Sequence, residues 1–182
     1  MKTIYCIIGS SGSGKSTIAK ILSDRVNCPE LISHTTRKPR INEIPNQSYY
    51  FVTEAEYDNT DFVEMETYCN KRYGSSVKEV LDRLSDHDSV CAVVTYHGYE
   101  QYRDWAEKQK SIRVVSVFVD GGTEEDLVRR LTARGDSPEA IKERVAKYKQ
   151  EQADYQHRVF DRVFVNTMPK DELEEAVVYF FK

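Results

Sequence analysis

Two kinds of apolar pattern take turns along the chain. Short runs rich in β-branched residues occur at 4–8 (Ile-Tyr-Cys-Ile-Ile), 89–95, 112–119 and 159–165. Unbroken apolar runs of this length are the mark of strands covered on both faces. Between them, apolar residues recur at helical spacing. The helical sets are Ile18, Ala19, Ile21, Leu22 and Val26; Val77, Val80, Leu81 and Leu84; Leu127, Val128 and Leu131; Ile141, Val145 and Tyr148; and Leu173, Val177, Val178 and Phe181. Residues 98–110 carry a helical pattern with a charged surface.

Boundary residues sharpen this picture. Thr53 followed by Glu56 reads as a capping box opening a short helix through Tyr57, and Thr123 followed by Asp126 has the same spacing. Ser76 can cap the helix that begins at Val77. Gly135 ends a helix, and Pro138 sits where the first turn of the next prefers it. The stretch from 31 to 76 holds shorter pieces. These are an extended start at 31–33, a polar turn at 42–48, a strand at 49–52, an extended segment at 62–68 and a polar hinge at 69–72. Alternating strands and helices predict an α/β fold with a mostly parallel central sheet between helical layers. The middle block then reads as a small mixed insertion over the strand ends, where ligands bind in such sheets.

The first strand runs directly into Gly9-Ser10-Ser11-Gly12-Ser13-Gly14-Lys15-Ser16-Thr17. This is G-x-x-x-x-G-K-[ST] in its required context, strand before and helix after. Small residues let backbone amides close around an oxyanion, and the following helix N-terminus favours negative charge. Lys15 is placed to reach the β- and γ-phosphates, and the Ser16 hydroxyl to ligate Mg²⁺. The expectation is a three-layer P-loop NTPase fold with a nucleoside-triphosphate site.

Composition adds mostly exclusions. At 182 residues the chain suits a single domain with a sizeable core. A formal net charge of -4 offers no global basic field for nucleic acid. Cys6, Cys28, Cys69 and Cys91 form no C-x-x-C pair, so neither a zinc site nor a disulfide framework is expected, and a reducing cytoplasm fits. Cys6 and Cys91 read as small core residues. No apolar run approaches the ~20 residues of a transmembrane helix, and the strand and loop at the start leave no room for a leader.

A phosphate loop does not say what receives the phosphate. The informative block is Ser33-His34-Thr35-Thr36-Arg37-Lys38-Pro39-Arg40, followed by Tyr49 and Tyr73. Arginine forks match phosphate oxygens and a phenol adds a directed donor, so this set can grip a second phosphate. On composition alone a solvated charged turn is as good a reading.

Taken together, these motifs resemble the guanylate kinase family. The matching pieces are Ser33-His-Thr-Thr-Arg37-x-Pro-Arg40-x-x-Glu43, Tyr49-x-Phe51, Phe62-x-Glu64, Tyr73-Gly74-Ser75, Arg130-x-x-x-Arg134-Gly135, Arg144, Glu151 and Val163-x-Val165-Asn166. They run in order over nearly the whole chain. The resemblance implies one guanylate kinase-like domain over 1–182. Its core would be 1–32 and 77–182, its acceptor-binding insertion 33–76 and its lid about 129–148. It implies that Ser33, Arg37, Arg40, Tyr49 and Tyr73 hold the acceptor's monophosphate. Glu64 and Ser75 would read the base edge, with Thr95 near it, and Glu43 would lie near the acceptor or its water network. Arg130, Arg134 and Arg144 would close over the triphosphate, and Asn166 would lie near the adenine. Lys15, Arg37 and the three lid arginines would carry the catalytic charge. The implied activity is transfer of a phosphoryl group from ATP to GMP or dGMP with Mg²⁺, by a monomer or homodimer, without nucleic-acid or membrane partners.

The chain departs from the family pattern at several positions: Asn42 stands where the family has Gly before Glu43, Ser48 where it has Asp before Tyr49, and the largest departure lies further on. An Asp-x-Asp pair usual after this strand is replaced by Val93 and Thr95, with His97 at the position of a glutamine. His97 then either touches the acceptor or fills a strand end. A kinase for a different or modified nucleoside monophosphate, a catalytically silent domain that grips phosphopeptides, and a P-loop enzyme with a non-nucleotide acceptor stand as alternatives.

Overall fold

A computed structural model describes residues 1–68 and 70–182. Cys69, read from sequence as part of a polar hinge, lies outside the described residues. The core is one parallel sheet of β1 (Lys2–Ile8), β2 (Ser89–Val93), β3 (Ile112–Asp120) and β4 (Arg162–Val165), in the order β2-β1-β3-β4. Along β1 the alternation is strict. Ile4, Cys6 and Ile8 enter one apolar cluster with Val90, Ala92, Val80 and Tyr102, while Ile7 enters the other with Cys91, Val117 and Phe164. Both faces are therefore buried, which explains the unbroken apolar runs. Helices α1 (Lys15–Arg25) and α2 (Lys170–Phe181) supply Ile18, Leu22, Val177 and Phe181 to the second cluster. Helices α3 (Val77–Asp86) and α4 (Tyr96–Ala106) cover the other face with Val80, Leu84, Tyr99 and Tyr102.

A second sheet lies within 34–76. It is made of β5 (His34–Thr35), β6 (Tyr50–Phe51), β7 (Phe62–Tyr68) and β8 (Lys71–Ser76), ordered β6-β5-β8-β7, with α5 (Glu54–Asp58) between β6 and β7. Two further helices, α6 (Glu124–Arg134) and α7 (Pro138–Tyr155), join through Gly135 in the left-handed conformation, φ 87°. Both capping boxes form, Thr53 with Glu56 and Thr123 with Asp126, Ser76 caps as its sequence position suggests, and Ser137 caps the helix that opens at Pro138.

Several sequence expectations need correction. The helix expected over 98–110 begins at Tyr96, because the Thr95 hydroxyl accepts the Gly98 amide at 3.0 Å and caps it earlier. It ends at Ala106, and Lys110 lies in the left-handed region at φ 51°. Thr95 thus belongs to a helix start and not to the preceding strand. The last strand begins at Arg162; Val159 is 82% exposed and pairs with nothing in the sheet. Leu81, expected inward, is exposed. Residues 31–33 form no strand beyond the bridge between Glu30 and Cys91. Strand β8, which contains Tyr73, Gly74 and Ser75, carries no continuous apolar signal, and its strand character comes from pairing with β5 and β7. Among the described residues, no helix is long and apolar enough to cross a membrane.

Candidate active site

Because the four core strands are parallel, the chain segments that follow them gather at one end of the sheet. These are the 9–14 loop after β1, Thr95 after β2, Gly121 after β3 and Asn166 after β4.

The loop after β1 is shaped for an anion. Gly12 and Gly14 adopt φ 79° and 101°, where L side chains are rarely found, and a Cβ on Gly14 would strike the Asn166 amide nitrogen. Asn166 in turn donates from Nδ2 to the Ser13 carbonyl at 2.7 Å and is buried. It braces the phosphate loop and also borders the adjoining cleft with Thr17 and Arg130. Among the described residues the Ser10 and Ser13 hydroxyls, both buried, have no hydrogen-bond partner. Lys15 Nζ donates to the Gly9 and Ser10 carbonyls at 2.7 and 2.9 Å. Burial lowers its pKa to about 8, against the pull of the Glu151 carboxylate, so it is still mostly protonated at neutral pH.

Ser11, Gly12, Gly14, Lys15, Ser16, Thr17, Arg130, Arg134 and Arg144 line one cavity. The arginines are held ready rather than free. Arg130 donates to the Gly121 carbonyl at 2.6 Å, and its Nε is buried without a partner. Arg134 pairs with Asp136, which Arg144 also approaches at 3.5 Å, and Arg144 donates to the Ser11 hydroxyl at 3.2 Å. The Ser11 amide donates to the Glu151 carboxylate at 2.6 Å. A protein carboxylate here takes one of the amide bonds that an anion could take.

A second cleft, of about 460 Å³, opens from the same lysine. Gly9, Ser11 and Lys15 form one end, and Ser33, Arg37, Arg40, Tyr49, Glu64, Tyr73 and Thr95 line the rest. Arg37 is the centre of the phosphate grip. Its Nε donates to the Tyr73 hydroxyl at 3.2 Å, and its two terminal nitrogens donate to Glu43 at 2.8 Å each. Glu43 also accepts the Arg40 amide, and these bonds hold its carboxyl down at about 2. Glu43 therefore orients Arg37 directly. Tyr49 lies under the Arg37 guanidinium, 5.3 Å from it to the ring centroid.

Glu64 and Ser75 are register partners on β7 and β8. Glu64 is nearly buried, and burial, then the neighbouring Glu66, raises its carboxyl to about 7. Ser75 is 1% exposed, and among the described residues its hydroxyl makes no well-formed hydrogen bond, although it lies close enough to Glu64 to offset part of that carboxyl's rise. Ser75 does not line the open cleft itself but pairs in register with Glu64, which does. His97 lies in the first turn of α4 with 69% of its side chain exposed, 3.8 Å from Glu100. It does not line the cleft and does not fill a strand end.

The family model described as guanylate kinase matches residues 1–179. This chain belongs to the guanylate kinase family. It is 37% identical over 177 residues to a guanylate kinase of Streptomyces kasugaensis, covering 93% of this chain and 82% of that one. It is 35% identical over 185 residues to one of Mycoplasmoides gallisepticum, covering 96% and 87%. In three dimensions it resembles the crystal structure of a guanylate kinase from Anaplasma phagocytophilum, with a TM-score of 0.66, 24% identity and coverage of 97% and 83%. As a guanylate kinase family member the chain is a nucleoside monophosphate kinase with ATP as donor.

Among the residues sequence reasoning missed, three carry charge. Glu66 and Lys147 line the acceptor cleft, and Lys147 sits 4.5 Å over the Tyr68 ring, tying α7 to the end of β7. Glu30 shares a narrower cleft with Ser16, Ser33, Tyr49 and Val93, and burial raises its carboxyl. The alternation of Glu64 and Glu66 on one strand was a readable signal for Glu66; neither of the others had one.

Proposed function

We propose that this guanylate kinase family member transfers the γ-phosphoryl group of ATP to GMP or dGMP. The observation that carries this reading is that Lys15 lines both clefts, so that two phosphate grips face each other across one ammonium group. A donor phosphate in the loop and an acceptor phosphate on Arg37, Arg40, Tyr49 and Tyr73 then meet end to end. An acceptor phosphate oxygen forms a bond to the γ-phosphorus as the bond to the ADP oxygen breaks, giving ADP and a nucleoside diphosphate. Such a transfer needs alignment and positive charge around the moving group more than covalent help from protein. Lys15, Arg130, Arg134 and Arg144 supply that charge. Asp136 holds two of the arginines near the loop until the triphosphate, a stronger anion, draws them in.

The residues fit Mg²⁺. Among the described residues no cluster of three or more His, Cys, Asp or Glu side chains is set to hold a metal alone. Mg²⁺ commonly keeps several waters and rests on phosphates and one or two protein oxygens, a role open to the exposed Ser16 hydroxyl. When bound, it neutralises phosphate charge.

Glu64 in its ionised form accepts from guanine N1–H, and the Ser75 hydroxyl is available to O6 once the base is seated. The intact loop and the arginines poised over it give no support to a silent phosphopeptide-binding domain. The test is ADP release measured with ATP, Mg²⁺ and each ribo- and deoxyribonucleoside monophosphate in turn. Turnover with GMP or dGMP is expected, and turnover with no nucleotide of the set overturns the reading.

A further inference from the structure

Glu66 has no role in the phosphate grip or in the phosphate loop, yet its position is closely specified. On β7 it follows Glu64 by two residues, so both side chains leave the same face of the strand. Its register partner is Tyr73, the phenol that receives Arg37, while the partner of Glu64 is Ser75. The face therefore runs from the phosphate grip, past Glu66, to Glu64 at the inner end, and both acids line the acceptor cleft.

The Glu66 carboxylate is aimed from across the cleft. Thr95 Oγ1 accepts the Gly98 amide at 3.0 Å as the cap of α4, which leaves its own hydrogen free. That hydrogen goes to Glu66 Oε2 at 3.0 Å. Helix capping thus fixes the threonine, and the threonine fixes the acid. Glu64 reaches the same helix start: a Cβ on Gly98 would sit 3.3 Å from Glu64 Oε1. Both carboxylates converge on the positive end of α4. Among the described residues the Thr95 hydroxyl is the hydrogen-bond donor that Glu66 has, and no lysine or arginine pairs with it.

We propose that Glu66 is a specificity-determining residue that accepts from the exocyclic 2-amino group of the acceptor base while Glu64 accepts from N1–H, with Thr95 as its positioning residue. The inference rests on the acceptor reading of this cleft given above. Two adjacent acids without a cation call for a ligand edge with two adjacent donors, and the N1–H and 2-amino pair of guanine is such an edge. Adenine turns the N1 lone pair toward the acids and is repelled. Hypoxanthine keeps N1–H but lacks the 2-amino group, so Glu66 gains no donor from the base and keeps only Thr95, which favours guanine. The raised titration of Glu64, to which Glu66 contributes, agrees with a pair that relaxes when both donors arrive. In this chain the carboxylate expected from position 95 is carried by the neighbouring strand.

The experiment compares kcat/KM for GMP, IMP and AMP in the wild-type protein and in Glu66→Gln, Thr95→Ser and the double variant Glu66→Ala with Thr95→Asp. Calorimetric binding of GMP and IMP to the same proteins gives a readout independent of turnover. The Gln variant keeps side-chain size and an oxygen for Thr95, and a melting curve reports its fold. Glu66→Gln should lose about 10- to 100-fold for GMP, the range of a hydrogen bond to a charged group, with IMP little changed. Thr95→Ser should stay near wild type, because the hydroxyl remains. The double variant should recover part of the preference for GMP over IMP. A preference in Glu66→Gln within twofold of wild type, in both kinetics and binding, overturns the assignment while GMP turnover keeps the acceptor reading intact. A wild-type protein that turns over IMP but never GMP removes both.

Discussion

The two clefts that share Lys15 recognise their ligands by different means. The donor side is built around nine consecutive residues, 9–17, whose loop amides depend on glycine conformations and the start of α1, with Arg130, Arg134 and Arg144 beside them. The acceptor side is built from side chains on β7, β8, the loops around β5 and β6, and the start of α4. Its lining also carries both signs of charge, Glu64 and Glu66 with Lys15, Arg37 and Arg40, whereas among the described residues Lys15, Arg130, Arg134 and Arg144 line the donor cavity without an acid. This chain matches its phosphate-loop pattern in full, and its departures at Val93 and Thr95 fall on the acceptor side. A backbone cradle leaves little for substitution to alter, whereas a side-chain pocket can move a carboxylate from one element to its neighbour and keep the charge in place.

The largest expected effect strikes the residue common to both sides. Lys15→Ala should lower kcat/KM by about 10²- to 10³-fold for every acceptor, as loss of one charged donor at a transferring group does. Circular dichroism and the melting temperature should stay near wild type, since the Lys15 partners are loop carbonyls. A protein that remains active after this change would break the claim that the clefts meet at this ammonium group.

Arg37→Ala separates the two sides. GMP kcat/KM should fall about 100-fold while the ATP dissociation constant, measured by calorimetry, stays within twofold. Equal losses for both ligands would mean that the clefts are not independent grips.

Gly98→Ala probes the base end with two opposing effects. Alanine is worth roughly 0.5–1 kcal/mol more than glycine inside a helix, so the melting temperature should hold or rise. The new Cβ crowds Glu64 Oε1 and Val94 Cβ at 3.3 and 3.1 Å, so KM for GMP should rise about tenfold, the cost of a misplaced hydrogen bond. Unchanged KM would place the base elsewhere.

The pH dependence sharpens the same end. Burial, then Glu66, raises the Glu64 carboxyl to about 7, and only the ionised form accepts from N1–H. Tyr57 on α5, Tyr102 on α4 and Cys6 on β1 also face it, and their own titrations are pushed up, so they stay neutral across this range. GMP kcat/KM should therefore rise from pH 6 through an inflection near 7 and fall again above about 8, where Lys15 loses its proton. Glu64→Gln should flatten the acid limb alone. The smallest effect belongs to Glu151→Gln. Releasing the charge that competes for the Ser11 amide should tighten ATP about two- to fivefold by calorimetry, the scale of a partly exposed charge.

Much of this molecule could be read in advance. The parallel core followed from runs such as 112–119, because strands buried on both faces leave an unbroken apolar pattern. The caps at Thr53, Ser76 and Thr123 were legible because a cap is decided within four residues. The phosphate loop was legible for the same reason: its ligand contacts come from its own backbone.

What escaped was set by contacts between distant residues. Glu43 was expected beside the acceptor, and only folding shows that it forks onto Arg37. Only the approach of β4 to the loop turns the Asn166 amide onto Ser13. Strand β8 has almost no strand pattern of its own and takes its conformation from its neighbours. Thr95 looked like the loss of an acid until Glu66 was found across the cleft from it. The sequence alone determined the order of elements, the donor loop and the residue types available to a second phosphate, since these rest on local geometry and periodicity. The tertiary structure decided which carboxylate meets which partner, because hydrogen bonds across 29 positions of chain exist only once the sheet, the hairpin and the helix start are brought to one place.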